Sequence, residues 1–205
     1  MLIKRTDYHK VNKSDFWDDK YINNEHKWDI SGPTPAFVNW SKNLKSSKRI
    51  IVPGCGNGYD AIHLANEGHN VFAIDFSSKV IDNLKNKKID NLNIVLDDYF
   101  NLPSKFNNKF DYFLEYTFLC AINPDRRMEY IEKSFDLLNS KGKYVGFLFP
   151  VNKPLNEGGP PFGVDLEKII DMFSQFYYDI KIKKSKYSIE ARSQNEVFIT
   201  MKKNA

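Results

Sequence analysis

The stretch RIIVPGCGNGYDAIHLANEGHNVFAID, residues 49–75, decides the fold class that this sequence predicts. It contains a short apolar strand, a turn rich in glycine, a helix that ends at Gly68, and a second strand that finishes on Asp75. This order of elements is typical of α/β sites that bind a ribose. The ligand of such a site is either a dinucleotide or a single nucleoside, and the details of the turn distinguish the two.

The turn carries three glycines, Gly54, Gly56 and Gly58, in the spacing GxGxG. The dinucleotide fingerprint is GxGxxG, with a pyrophosphate at the helix N-terminus. Asp60 lies at that helix start, where its charge disfavours a pyrophosphate and suits a ligand with an ammonium or sulfonium group. Asp75 comes 21 positions after Gly54 (75 − 54), a spacing that suits binding of ribose hydroxyls. We therefore predict that a nucleoside cofactor contacts these five residues and Phe76, which follows the acid.

A second acidic pair, in LDDYF at residues 96–100, follows the third predicted strand. Asp97 or Asp98 can accept a hydrogen bond from an adenine amino group, and Tyr99 can offer its ring face or its amide. An acid after the second strand and an acid after the third together fit an adenosine that lies across the strand ends.

Strands and helices alternate from Arg49 onward, which predicts an α/β fold with a mostly parallel sheet covered by helices on both faces. The last two strands have no helix between them, so we predict that they pair antiparallel. The predicted strands are 49–53, 70–75, 92–96, 110–116, 143–150, 180–184 and 197–201. The predicted helices are 57–67, 77–87 with Ser77 as N-cap, 123–142 with Asn123 as N-cap and Gly142 as its end, and 164–174.

We predict one domain over residues 1–205. The first 48 residues lie outside the alternation and carry all three tryptophans, Trp17, Trp28 and Trp40. We interpret residues 1–48 as a helical cap over the carboxyl edge of the sheet, and residues 49–202 as the core. Ligands bind at that edge in open α/β sheets, so the cap is predicted to cover the site.

The net charge is +4, from 30 basic and 26 acidic side chains, and no basic block occurs, so we expect no nucleic-acid or membrane partner. Cys55 and Cys120 form no CxxC pair and favour a reducing cytoplasm. The four histidines lack metal-ligand spacing, so we predict no metal site. The N-terminal residues lack the apolar segment of a signal peptide, and we expect a cytoplasmic protein, a monomer or weak dimer, with a small-molecule substrate.

Five motifs in order, VPGCGNGYD, FAIDFS, EYTFLCAINPDRR, GGPPFGVD and EARSQNE, give the chain a family resemblance. The sequence resembles the thiopurine S-methyltransferase superfamily, which includes plant-type thiocyanate, halide and thiol methyltransferases, over residues 17–201. The resemblance implies a class I methyltransferase that uses S-adenosylmethionine and releases S-adenosylhomocysteine. It also implies a Rossmann-like, doubly wound sheet of seven strands with the last strand antiparallel.

The resemblance assigns further cofactor contacts. Trp17 and Trp28 match aromatic residues that close over the cofactor, and Asp98 matches a residue beside adenine, as does Tyr99. In the family, the segment after the fourth strand lines the methyl-donor end of the cofactor. Glu115 and Tyr116 match that segment in this sequence.

The substrate pocket is assigned partly by the resemblance and partly from aromatic content. Arg127 matches a family arginine near the substrate mouth, and Phe162 lies in the GPP loop that shapes the pocket. We interpret Arg192 as a structural partner of Glu196 or of a carboxylate near the site. The predicted substrate pocket consists of Trp28, Trp40, Phe118, Arg127 and Phe162.

The predicted reaction is methyl transfer to a small soft nucleophile, with the sulfur of a thiol as the acceptor. EYTFLCAI resembles the halide and thiol branch, but Phe162 stands where that branch usually has tyrosine, so halide, thiocyanate, selenium and tellurium acceptors remain open. An NAD-dependent oxidoreductase is a further alternative, which the glycine spacing and Asp60 disfavour. Because an ionised thiol needs alignment rather than proton removal, we predict no general base.

Overall fold

A computed structural model describes residues 8–204, and its centre is a seven-stranded sheet in the order β3-β2-β1-β4-β5-β7-β6. The strands are β1 (Arg49–Pro53), β2 (Asn70–Asp75), β3 (Leu92–Leu96), β4 (Phe110–Glu115), β5 (Leu138–Leu148), β6 (Tyr177–Lys183) and β7 (Val197–Lys203). Strand β1 pairs in parallel with both β2 and β4, so the direction of strand progression reverses at β1. Ligands in doubly wound sheets bind at such a reversal point.

The strand directions confirm the predicted α/β class. Pairs β2–β3 and β4–β5 are parallel, whereas β7 lies between β5 and β6 and runs antiparallel to both. The central strands are buried on both faces, which explains the unbroken apolar run of β1. Ile50 and Val52 pack into the core cluster on one face, and Ile51 packs into the cluster on the other.

Within residues 8–204, two short α-helices precede the sheet, and four more α-helices follow β1. These helices are α1 (Ser14–Ile22), α2 (Pro35–Ser41), α3 (Tyr59–Asn66), α4 (Ser78–Lys85), α5 (Arg127–Leu137) and α6 (Leu166–Ser174). Residues of α2 and α3 contribute to one core cluster, and residues of α5 and α6 contribute to the other. Among residues 8–204, no helix has the length and the apolar character needed to cross a bilayer.

The N-terminal helices are joined to the core by hydrogen bonds. Asp18 of α1 accepts hydrogen bonds from the hydroxyls of Ser77 and Ser78, and its carboxylate also accepts from the amide of Lys79. The carboxylate therefore lies at the N-terminus of α4, where a negative charge is favourable. Residues 1–7 of the predicted cap lie outside the described residues.

Several predicted boundaries differ from the structure, and the reason is visible at three of the elements. Helix α3 begins at Tyr59 rather than 57, because Gly58 adopts a left-handed conformation as its N-cap. The predicted helix 123–142 is divided: Asn123 caps a single 3-10 turn, α5 ends at Leu137, and Gly142 lies within β5. Strand β6 begins three residues early, because Tyr177 and Tyr178 also pair with β7.

Candidate active site

A cavity of about 920 Å³ lies where β1, β2 and β4 end, and the N-terminal segment borders it on one side. Its core side includes Pro53 and the glycine turn, the end of β2, and the segment after β4. Its other side includes Trp17, Trp28 and neighbouring residues of the N-terminal segment. The cavity therefore occupies the position that strand order predicts for a ligand.

The glycine turn brings bare backbone to the cavity. Gly54 has a φ of +56°, and a Cβ atom added there would overlap the ring of Phe118, at 2.8 Å from Cγ. Gly56 also lines the cavity, whereas Gly58 does not. Gly58 instead has a φ of +73° and lies against Leu84, so its role is to start α3.

Asp75 faces the cavity at the end of β2. One carboxylate oxygen accepts a hydrogen bond from the amide of Gly56 at 3.0 Å, and the other accepts from the amide of Ser77 at 3.0 Å. These amides orient the carboxylate, which can still accept a hydrogen bond from a ligand hydroxyl. Burial raises the pKa of Asp75, and hydrogen bonds from the amides of Ser77, Gly56 and Phe76 partly oppose this effect. Phe76, the next residue, also lines the cavity.

Asp60 joins the core to the N-terminal segment. Its two carboxylate oxygens accept hydrogen bonds from Thr34, one from the amide at 2.6 Å and one from the hydroxyl at 2.9 Å. Burial raises the pKa of Asp60 to about 6. Asp60 borders the cavity as predicted from sequence, but the contact that the structure reveals for it is this connection to Thr34.

The acidic pair after β3 also borders the cavity. Asp97 accepts a hydrogen bond from the amide of Asp98, and Asp98 caps the following 3-10 turn through the amide of Phe100. Tyr99 contacts the cavity too, but its ring lies in the core and its hydroxyl donates to the carbonyl of Tyr130 at 2.8 Å. A ring face at Tyr99 is therefore less accessible to a ligand than the sequence suggests.

Aromatic side chains of the N-terminal segment form one wall. The rings of Trp17 and Trp28 meet edge to face at 5.5 Å, and Tyr21 meets Trp28 at 5.6 Å. Trp17 is held by a hydrogen bond from its indole nitrogen to the carbonyl of Val11 at 2.9 Å. Asp29 ties this wall to the glycine turn, since it accepts from the side-chain amide of Asn57 at 2.5 Å.

The segment after β4 supplies a second aromatic wall, with Tyr116 and Phe118 at the cavity. Glu115 does not line the cavity, because its side chain points into the core and is 1% exposed. Its carboxylate accepts hydrogen bonds from two amides of this segment and from the hydroxyl of Tyr130. Of the two residues predicted to contact the cofactor in this segment, Tyr116 lines the cavity and Glu115 does not.

Three residues of the predicted substrate pocket lie elsewhere. Trp40 does not line the cavity and packs edge to face against Tyr112 at 5.0 Å. Arg127 is 7% exposed and donates to the carbonyl of Gly163 at 3.0 Å, so it holds the GGPPF loop from beneath. Phe162 is fully buried, and the three residues before it in that loop, Gly159, Pro160 and Pro161, reach the cavity instead.

Arg192 is the main cavity residue whose position the sequence did not predict. It is 7% exposed, donates to the carbonyl of Trp28 at 2.7 Å, and lies 4.9 Å from the ring of Tyr116 and 5.2 Å from that of Phe149. Within residues 8–204, no carboxylate forms an ion pair with it, although Glu196 lies near enough to attract its charge, and the guanidinium nitrogen Nη1 has no hydrogen-bond partner. Glu196, the expected partner, instead accepts from the hydroxyl of Tyr116 at 3.3 Å.

Further cavity residues that the sequence reasoning did not assign include three polar ones. Tyr21 and Asp29 belong to the N-terminal segment, and Arg126 lies over the ring of Phe100 at 3.5 Å and pairs with Glu129. The sequence carries a weak signal for Asp29, which precedes the GPTP stretch. For Arg126 the sequence carries no such signal, because nothing in the motif INPDRR distinguishes Arg126 from Arg127 as the arginine that reaches the cavity.

The donor set fits an adenosyl sulfonium better than a dinucleotide. Three carboxylates, those of Asp29, Asp60 and Asp75, border the cavity around the glycine turn, where a dinucleotide would require its pyrophosphate. The close approach of bare backbone at Gly54 and the aromatic walls suit a nucleoside and a cationic sulfur. In the described part of the chain, no group of three or more His, Cys, Asp or Glu side chains is arranged to hold a metal ion.

Comparison with known proteins gives concordant results. The model of the family described as thiopurine S-methyltransferase matches residues 12–203. A probable thiol methyltransferase 2 of Arabidopsis thaliana is 28% identical over 164 residues, covering 77% of this chain and 70% of its own length. Thiocyanate methyltransferase 1 of Brassica oleracea is 26% identical, covering 88% and 81%. A thiopurine S-methyltransferase of Vibrio parahaemolyticus is 27% identical, covering 79% and 82%.

Among solved structures, the 1,6-didemethyltoxoflavin-N1-methyltransferase of Burkholderia thailandensis has the same fold. Its crystal structure contains bound S-adenosylhomocysteine and superimposes with a TM-score of 0.72. The two chains are 18% identical, and the alignment covers 100% of this chain and 92% of the other.

Proposed function

The chain belongs to the thiopurine S-methyltransferase family, and from this membership we propose that it transfers the methyl group of S-adenosylmethionine to the sulfur of a small thiol. It is a small-molecule methyltransferase that depends on S-adenosylmethionine. The observation that carries the proposal is the meeting of the glycine turn, Asp75 and two aromatic walls around one cavity at the reversal point of the sheet.

The proposed cofactor contacts follow the order of the strands. Asp75 accepts from the ribose hydroxyls, because its two oxygens face the cavity and are fixed by backbone amides. Asp97 and Asp98 lie beside the adenine, and the bare backbone of the turn allows the cofactor to approach closely. Trp17 and Trp28 cover it from the side of the N-terminal segment.

When bound, S-adenosylmethionine supplies an electrophilic methyl group on a positively charged sulfur. The chain contributes alignment and the exclusion of water. Tyr116 and Phe118 form an apolar wall beside the glycine turn, and they can hold a soft nucleophile in line with the methyl group. The thiol loses its proton to water before it binds, and the thiolate, freed of water in such a pocket, reacts faster, so no proton-abstracting residue of the chain is required.

Arg192 supports an acceptor that is negatively charged in the reacting form. Its guanidinium lies between the rings of Tyr116 and Phe149 and has an unpaired nitrogen, so an anion entering the cavity meets a positive charge in apolar surroundings. A thiolate is such an anion. Thiocyanate and halide ions share this property, and we keep them as the second candidate acceptors because the same arginine would attract them.

We also propose the setting in which the enzyme works. Residues 1–48 and 49–202 act as one domain, with the first part covering the site of the second. The chain works in the cytoplasm as a monomer or weak dimer, and its small net charge of +4 favours a small-molecule substrate over nucleic acid.

The test is a panel of acceptors with S-adenosylmethionine labelled on the methyl group. The panel contains small thiols, thiopurines, bisulfide, thiocyanate, iodide and selenite, and the labelled products are identified by mass spectrometry. We expect the highest kcat/KM with a thiol. The thiol assignment is wrong if thiocyanate, iodide or selenite exceeds every thiol. The methyltransferase assignment is wrong if purified protein binds S-adenosylhomocysteine but labels no acceptor.

A further inference from the structure

We propose that Glu115 is a positioning residue for methyl transfer, whose carboxylate holds the turn 116–119 so that Tyr116 and Phe118 form the cavity wall. The inference rests on the proposed function for its effect on turnover. Glu115 lies behind this wall and does not border the cavity, so it acts through the turn rather than on a ligand.

The carboxylate makes hydrogen bonds on both sides. Oε1 accepts from the amides of Phe118 at 2.8 Å and Leu119 at 2.9 Å, and Oε2 accepts from the hydroxyl of Tyr130 at 2.6 Å. The hydroxyl of Tyr130 lies 2.9 Å from that of Tyr144. Glu115 therefore joins the turn to α5 and β5, the rigid part of the core.

The turn needs external support because its backbone is strained. Thr117 has a φ of +64°, which is unfavourable for a β-branched residue. Without the carboxylate, the two amides would be left without their acceptor beneath the cavity, and the turn would relax toward a more ordinary conformation.

Relaxation of the turn would reach the reaction centre directly. The ring of Phe118 lies so close to Gly54 that the glycine has no room for a side chain. A displaced Phe118 would therefore change the width of the cavity at the glycine turn. Tyr116 precedes the strained residue, and its ring is also in contact with Arg192. Tyr116 and Phe118, which are expected to contact the acceptor, are therefore held in place by Glu115, which the acceptor does not touch.

The charge state of Glu115 changes near neutral pH. Burial raises its pKa to about 7, while the hydrogen bonds from Tyr130 and the two amides oppose this effect. The titratable groups that face it are Tyr130 from α5, Tyr144 from β5, Tyr99 from the 3-10 turn after β3, and Cys120 from its own segment. All four are uncharged at pH 7, because burial raises their pKa values above the ordinary range.

Protonation weakens the support without removing it. A neutral carboxyl group accepts weaker hydrogen bonds than a carboxylate, by roughly a factor of two in strength. The turn is therefore held most firmly above pH 7. Glu115→Gln imitates the protonated form, since its carbonyl can accept from both amides and its amide can donate to Tyr130.

The test compares the wild type, Glu115→Gln and a control, Glu132→Gln, which changes an exposed glutamate of α5 away from the cavity. The acceptor is the one found most active, and thiocyanate is run beside it because it has no proton to lose in this range. For Glu115→Gln we expect about a tenfold lower kcat at pH 8, a KM for the cofactor within about twofold, and loss of the pH step near 7. The control keeps the wild-type profile.

A second measurement is independent of turnover. In the wild type, the amide proton signals of Phe118 and Leu119 should shift with a midpoint near pH 7, and in Glu115→Gln they should not. The proposal is overturned if these signals do not titrate between pH 5.5 and 8.5, or if Glu115→Gln keeps the wild-type kcat and pH profile. If no acceptor in the panel is methylated, the proton signals of the wild type still decide whether Glu115 holds the turn.

Discussion

Replacement of Asp60 by asparagine tests the connection between the core and the N-terminal segment. The carboxylate of Asp60 accepts from the amide and the hydroxyl of Thr34. Asparagine can keep both contacts, because its carbonyl accepts from the amide and its NH₂ group can donate to the hydroxyl oxygen. The substitution therefore removes a charge and preserves the shape of the contact.

The magnitude follows from the raised pKa of Asp60. Burial raises it from an ordinary 3.8 to about 6. The folded state binds the proton more tightly than the unfolded state, so stability is greatest below pH 3.8 and is lost as the pH rises through 6. The difference of about two pKa units corresponds to roughly 3 kcal/mol. This value is an upper bound, because Asp60 borders the cavity and water there screens its charge.

The assay is urea unfolding at pH 4, 6 and 8, followed by far-UV circular dichroism. We expect Asp60→Asn to match the wild type at pH 4 and to exceed it at pH 8 by up to about 3 kcal/mol. Asp82→Asn, which changes an exposed acid of α4, serves as the control and should show no such trend. Asp75 and Glu115 have raised pKa values too. Their pH-dependent contributions to the free energy of unfolding are the same in the wild type and in Asp60→Asn, so they cancel in the difference. A difference that stays constant from pH 4 to pH 8 would refute the reasoning.

The remaining predictions concern the ligand. Asp75→Ala should abolish binding of S-adenosylhomocysteine in calorimetry, because it removes the oriented carboxylate; unchanged affinity would contradict the ribose assignment. Trp28→Ala should leave the far-UV circular dichroism intact but reduce turnover, whereas a global loss of helix signal would make Trp28 a core residue. Gly54→Ala should weaken cofactor binding at least tenfold, because the new methyl group overlaps Phe118 at a left-handed φ. Tryptophan fluorescence should be quenched by S-adenosylhomocysteine and not by NAD; equal quenching would favour a dinucleotide site.

Most of the sheet could be predicted from sequence because its signals are local. The bounds of β1, β2 and β3 agree with the prediction, since each is an apolar run between turn residues. The divided helix after Asn123 was missed because the residues up to Gly142 keep a helical spacing of apolar side chains. Pairing of Leu138 with Phe110 of β4 draws those residues into β5, and no local pattern reports such a pairing.

The two sides of the cavity differ in how far they could be predicted. On the core side, Gly54 and Asp75 lie at the ends of predicted strands, and sheet geometry brings such ends together. On the other side, Trp17 and Trp28 line the cavity while Trp40 does not, although all three precede β1. An aromatic residue packs equally well into a core or a pocket wall. Composition alone therefore does not show which tryptophan lies in the core and which lines the cavity.

The sequence by itself determined the sheet, the glycine turn and the acid after β2, because periodicity and turn residues act over a few positions. Only the tertiary structure decided which of the arginines face the cavity. Arg192 reaches the carbonyl of Trp28 across 164 positions of sequence, whereas Arg127 is turned away to hold the GGPPF loop. The direction of a side chain depends on which distant segments pack around it. That packing forms only when the whole chain folds into a close-packed core.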